Sequence, residues 1–385
     1  MKKLKTALAA AAATGALLAP AAVAPAAFAG IAEEDAAAAA AQEGQPAEAN
    51  GPQAEISDLE AEPWIENSKW YPKYKDDARV QFKQATSPAM NGRKVPLAVI
   101  PAKSENRPTV YLLNGAGSGE QDTDWLTHSS VVDFYSDKDV NVVIPMAGAF
   151  SYYIDWLEDP TGEGQYLSGP QKWETFLTKE LPGPLESAYN ANGKRAIAGM
   201  SMSATSSLLL AEHNPDFYDA TGSFAGCAAT SRQLEYNAAG IVVGVDRGVV
   251  KGPDLENVRR MWGPQGSPTN VHQDALVNAD KLQGTPTYIS SSSGVLSEKD
   301  LGGYLAHEYG VSELSGSYNA VAVNGLQGMP IEGAVNKCTH DLKAKMDSIG
   351  VPATYNFRDV GVHNWNGWED DLIKSWEVFG PALEA

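Results

Sequence analysis

Arg195-Ala-Ile-Ala-Gly199-Met-Ser201-Met-Ser203 carries a short apolar run into a Gly-x-Ser-x-small turn, and the residues from Ser203 to His213 then read as a helix. A strand ending in such a turn lifts the serine hydroxyl above the strand end, and small neighbours let the helix pack closely. Ser203 stands where a closing glycine is usual, a mild departure because serine is also small. Taken alone, the pattern equally describes a serine capping its helix, so the surroundings decide. Outward from it, apolar and β-branched runs recur at 78–84, 96–102, 109–114, 140–146, 196–199, 220–224, 285–290 and 353–357. Between them lie helical spacings, such as Trp173, Phe176, Leu177 and Leu181 on one face. Strands alternating with helices predict an α/β domain with a mainly parallel central sheet and helices on both faces. Residues 231–284 hold no comparable strand and read as an insertion over one edge.

The 385 residues are 43% hydrophobic and 20% charged, an ordinary globular composition. No period recurs, which excludes a repeat solenoid. A formal charge of −19 argues against nucleic acid and anionic lipid as partners. The N-terminus has the three parts of an export signal: basic Lys2, Lys3 and Lys5, an Ala/Leu run from Ala7 to Ala19, and small residues at Ala27 and Ala29. Cleavage is expected after Ala29, giving a signal peptide over 1–29. Residues 30–62, rich in Ala, Glu, Gln, Pro and Gly, have too little apolar content to order themselves and read as a flexible spacer. The domain is then 63–385. Export implies an oxidising compartment, so Cys227 and Cys338, the only cysteines, are expected to pair. Such a bridge would hold the helix after Pro330 near the nucleophile.

A serine hydroxyl is a weak nucleophile; it needs a histidine to take its proton and an acid to orient that histidine. Of six histidines, His363 alone follows the last strand, where an α/β-hydrolase fold places its base, and Gly361 leaves its ring free to reach over the sheet. His213 and His340 lie in or at the end of helices, where a solvated or capping role is expected. The order Ser, acid, His admits any carboxylate between them. Glu332 falls in the first turn of a helix opened by Pro330, with Val335, Cys338, Leu342 and Met346 at helical spacing and Gly350 as its stop. The helix dipole favours an ionised acid there. Asp300 and Asp359 remain rivals on spacing.

Together with Tyr111–Gly117 (YLLNGAG), Asp155-Trp156, 172–182 (KWETFLTKELP), 261–264 (MWGP), 331–333 (IEG) and 363–365 (HNW), these residues resemble the secreted mycolyltransferases of mycolic-acid bacteria, the antigen 85 type, and especially their corynebacterial members. The likeness runs from about Thr109 to Trp368. It implies a catalytic set of Ser201, Glu332 and His363, an oxyanion hole from the backbone N–H groups of Ala116 and Met202, and a sugar stacked on Trp365. It further implies acyl transfer from a mycolyl donor such as trehalose monomycolate to a cell-wall sugar acceptor, needing no metal or cofactor, by a secreted envelope monomer with room for association with outer-envelope lipid. Where mycobacterial members carry Asp and Arg to hold trehalose, this chain has Asn114 and Gly117. Asn114 is the expected substrate contact there, without the charge. The insertion, with its apolar run 241–245, is expected to border the acyl chain. A plain carboxylesterase, or a non-catalytic cell-wall carbohydrate-binding protein, is the alternative.

Overall fold

The computed structural model describes residues 51–248, 251–308 and 310–385, so the expected signal segment and residues 30–50 of the spacer lie outside it. The strands are β1 (Glu55–Asp58), β2 (Gln81–Ser87), β3 (Arg93–Ile100), β4 (Thr109–Leu113), β5 (Asn141–Pro145), β6 (Arg195–Met200), β7 (Ala220–Phe224), β8 (Thr287–Ser292) and β9 (Thr354–Arg358). They form one sheet in the order β1-β2-β3-β5-β4-β6-β7-β8-β9. From β5 to β9 every pairing is parallel, and the β1, β2 and β3 end is antiparallel. With helices on both faces, this is the α/β-hydrolase architecture. Each of the eight expected strands overlaps an observed one. β1 corrects the spacer boundary: residues 55–58 pair with β2, and the Ala54 N–H donates to the Glu180 carbonyl at 3.0 Å. Low apolar content failed as a signal here because an edge strand is held by backbone hydrogen bonds, with its side chains free to stay polar.

Alternation along β4 shows how the sheet separates two cores. Tyr111 and Leu113 join the core that holds Ile197, Leu208 and Leu209, while Val110 and Leu112 join the one that holds Ala198, Met200, Trp125 and Leu372. The turn after β6 is tight enough to require glycine, since a Cβ on Gly199 would come within 2.2 Å of the Ser203 carbonyl oxygen. The helix Met202–His213 follows at once, buried on all sides from Met202 to Glu212. The insertion folds as helices Gln233–Gly244, Leu255–Trp262 and Pro268–His272. It packs on the segment after β5: Trp262 meets Tyr152 at 5.0 Å, and the buried Asp246 carboxylate accepts the N–H groups of Gln165, Tyr166 and Leu167.

The helix expected after Pro330 spans Met329–Ile349 and stops at Gly350, which adopts the left-handed conformation. It lies close to β8, because a Cβ on Gly294 would meet the Met329 carbonyl oxygen at 2.8 Å. Cys338 on this helix is bridged to Cys227 beyond β7, with the Cα atoms 5.0 Å apart at a sequence separation of 111. Thr339 adds a hydrogen bond to the Gly226 carbonyl at 3.3 Å. The helix between β8 and β9 is therefore fixed to the segment after β7 by a covalent bond and a neighbouring hydrogen bond.

Candidate active site

Ser201 occupies the turn with φ 56° and ψ −118°, an unfavourable backbone for a residue with a Cβ and the mark of a nucleophile elbow. Its N–H donates to the Phe224 carbonyl at 2.9 Å, tying the elbow to the end of β7. Ser203, at the usual closing-glycine position, accepts the Met200 N–H at 3.0 Å and faces the Leu113 carbonyl at 3.2 Å, so its hydroxyl braces the turn.

The elbow hydroxyl lies 2.7 Å from His363 Nε2, and His363 Nδ1 lies 2.8 Å from Glu332 Oε2. A carboxylate facing Nδ1 selects the tautomer protonated there and leaves Nε2 to accept from Ser201. Glu332 is buried, and its second oxygen accepts the Ser292 N–H at 2.5 Å, so both carboxylate oxygens are held. Gly361, at φ 125°, gives the chain the sharp bend that delivers His363; a Cβ there would strike the Ser292 hydroxyl at 2.7 Å. Sequence spacing thus brought together three residues that the fold also brings together.

The rival acids stand apart from the imidazole. Asp359 is exposed. Asp300 is buried, caps the turn at Ser297, and accepts the Asn364 amide at 2.6 Å, so it grips the residue beside His363 and not the ring. His213 is neither solvated nor a cap: it is buried, with Nδ1 3.1 Å from Glu174 and Nε2 3.0 Å from the His272 carbonyl. Glu174 raises its pKa against the opposing effect of burial.

The loop after β4 faces the elbow, where a Cβ on Gly115 would sit 3.8 Å from Ser201 Cβ. Ala116 uses its carbonyl to accept the Phe150 N–H at 2.7 Å. Among the described residues, no acceptor meets the N–H groups of Ala116 and Met202. Asn114 departs from expectation as a substrate contact. It is fully buried, its amide donates to the Pro145 carbonyl at 2.8 Å, and its oxygen accepts the Trp125 N–H at 3.1 Å. Both polar ends bind the ends of neighbouring elements, which a local motif cannot reveal. Gly117 has no room for a longer side chain without displacement, since a Cβ would meet Thr123 Oγ1 at 2.3 Å. Trp365 is half-buried and stacks on His128 at 5.0 Å, while Trp368 is the ring that meets His363, edge-on at 4.9 Å.

Sequence reasoning missed a supporting chain. The Arg358 Nε donates to Ser292 Oγ at 2.8 Å, and its Nη1 to the buried Asp371 at 2.6 Å, which also accepts from Tyr288 and Asn356. Burial pushes the Asp371 carboxyl upward, with Arg358 opposing. Among the described residues no group of His, Cys, Asp or Glu is arranged to hold a metal ion.

Comparison with known proteins agrees with this architecture. A family model described as a putative esterase matches residues 87–377. The diacylglycerol acyltransferase/mycolyltransferase Ag85A of Mycobacterium tuberculosis is 30% identical over 76% of this chain and 78% of its own. Among solved structures, Mycobacterium tuberculosis MPT51 (FbpC1) superposes with a TM-score of 0.59 at 21% identity, covering 77% of this chain and 96% of that one. An S-formylglutathione hydrolase from Agrobacterium tumefaciens gives 0.55 at 15% identity, covering 79% and 96%. The last two speak for the fold alone. With the esterase model spanning most of the domain and Ag85A aligned across three-quarters of the chain, the chain belongs to the antigen 85 type mycolyltransferases of the esterase family.

Proposed function

We propose that the protein is a serine acyltransferase that moves a mycolyl group from trehalose monomycolate to a sugar hydroxyl, of a second trehalose monomycolate or of arabinogalactan. The observation that carries this reading is the unbroken chain Ser201 Oγ, His363, Glu332 at a strained elbow. His363 Nε2 takes the Ser201 proton as Oγ bonds to the ester carbonyl carbon. The oxyanion so formed is met by the N–H groups of Ala116 and Met202, which need no reorganisation. Collapse breaks the ester bond, His363 returns the proton to the leaving trehalose hydroxyl, and an acyl-Ser201 ester remains. The acceptor hydroxyl then gives its proton to His363 and its oxygen to the acyl carbon, restoring Ser201. Glu332 faces Nδ1 and stabilises the imidazolium in both halves.

Export through residues 1–29 is part of the proposal, supported by the disulfide, which suits an oxidising compartment. Simple hydrolysis is the second reading, favoured by the esterase family match. Incubating the purified protein with trehalose monomycolate and resolving the lipids separates the two. Dimycolate marks transfer, free mycolic acid marks hydrolysis, and unchanged donor overturns both.

A further inference from the structure

The segment from Leu301 to Ile331 inverts the usual order of a surface helix. Helices Gly302–Glu308 and Glu313–Tyr318 meet through glycines: a Cβ on Gly302 would lie 2.8 Å from Ser317 Cα, and one on Gly316 2.3 Å from the Gly302 carbonyl oxygen. In the wide helical stretch Asn319–Gly328, the buried residues are Ala322, Asn324 and Gly328. Apart from the buried Leu305, mostly small and polar groups thus point inward, leaving several large apolar ones outside. Leu314 is 81% exposed, Val321 63%, and Leu326, Val323 and Ile331 are exposed as well. Exposed apolar surface concentrated in this way marks an interaction site. From Asp300 to Asn336 the sequence holds no Lys or Arg, in a chain of net charge −19.

This face is continuous with the catalytic residues. The Gly328 carbonyl accepts the His363 N–H at 3.2 Å, and the segment runs directly into the helix that bears Glu332. We infer that it docks the protein on the surface of an uncharged glycolipid layer, so that an amphiphilic donor passes from its aggregate into the site without crossing water. The inference rests on the acyltransferase reading for its donor. The choice of an uncharged layer rests on charge: no cation in the face attracts anionic headgroups, and the acidic body is repelled by them.

Flotation tests it with two kinds of vesicle, phosphatidylcholine containing a synthetic long-chain trehalose monoester, and phosphatidylglycerol. Wild-type protein is expected to float with the first and not the second. Leu314→Asp combined with Val321→Asp is expected to lower that binding about tenfold or more, because each charge must enter the apolar boundary. Both proteins should cleave a soluble short-chain nitrophenyl ester at the same rate. Leu314→Ser with Val321→Ser gives the same direction if aspartates disturb the helices. Equal flotation of wild type and variants, no flotation of wild type, or preference for phosphatidylglycerol overturns the inference. So does a wild-type dimer that the substitutions dissociate, which would assign the face to a second copy. Wild type that floats yet leaves the soluble ester intact overturns the acyltransferase reading and not the docking.

Discussion

Ser201 and Glu332 act in the proposed reaction through different atoms, and their substitutions should separate accordingly. Ser201→Ala removes the bond-forming oxygen. Acyl transfer should fall about 10³-fold to 10⁶-fold with an unchanged circular dichroism spectrum, and retention of a tenth of the rate would remove Ser201 from the role. Glu332→Gln keeps the shape and loses the charge facing Nδ1. The rate constant should drop about 10²-fold to 10⁴-fold with little change in KM, and an unaltered rate would dismiss Glu332 as the acid. Arg358 is linked to Glu332 by hydrogen bonds through Ser292. It supports the Glu332 side of the chain, so Arg358→Gln should lower kcat about tenfold with little change in KM, with Arg358→Lys restoring part of the rate. An unchanged kcat in both variants would make Arg358 a purely structural partner of Asp371. Ser201, His363 and Glu332 were legible as a candidate nucleophile, base and acid because each sits in a local pattern of turn, bend or helix start. Arg358 and Asn114 were not, because their meaning lies in partners distant in sequence.

At the level of elements, parallel strands buried on both faces announce themselves by apolar β-branched runs, as β4 to β8 do, while the antiparallel β2 and β3 and the half-buried edge strand β9 show shorter versions of the same signal. β1 has one apolar residue in Glu-Ile-Ser-Asp and no such signal. The acid-bearing helix was legible from its proline, its spacing and its terminal glycine, whereas the inverted helices before it carry a pattern that points outward. Its attachment gives a direct test. The bridge between Cys227 and Cys338 closes a long loop, for which chain entropy gives about 4 to 5 kcal/mol as an upper figure. Cys227→Ser with Cys338→Ser should therefore lower the melting temperature and also reduce activity, since Glu332 lies six positions before Cys338 on the same helix. Two titratable thiols in the denatured, unreduced wild type would refute the bridge.

Across the whole molecule, several carboxyls are held in settings that favour their neutral forms. Burial pushes Glu120 up to about 7, opposed by the Gly148 and Ala149 N–H groups and Arg93 and reinforced by Asp246. Burial likewise pushes Asp124 up to about 6. A carboxyl with a raised folded pKa contributes stability below its unfolded pKa and loses it as pH rises through the folded value. Thermal stability should accordingly decline between about pH 4 and pH 7, and Glu120→Gln should flatten that slope. An equally steep decline in the variant would place the effect elsewhere. A different consequence follows from β1. Its four residues, two of them acidic, cover Lys83 to Thr86 on β2. A chain trimmed to begin at Pro63, just past the expected spacer, would bare a longer strand whose unpaired amides and carbonyls match those of any other copy. Such a protein should form sheet-to-sheet oligomers and precipitate on storage, whereas one beginning at Gly51 should stay dispersed. The short acidic strand thus serves as a guard against self-recognition.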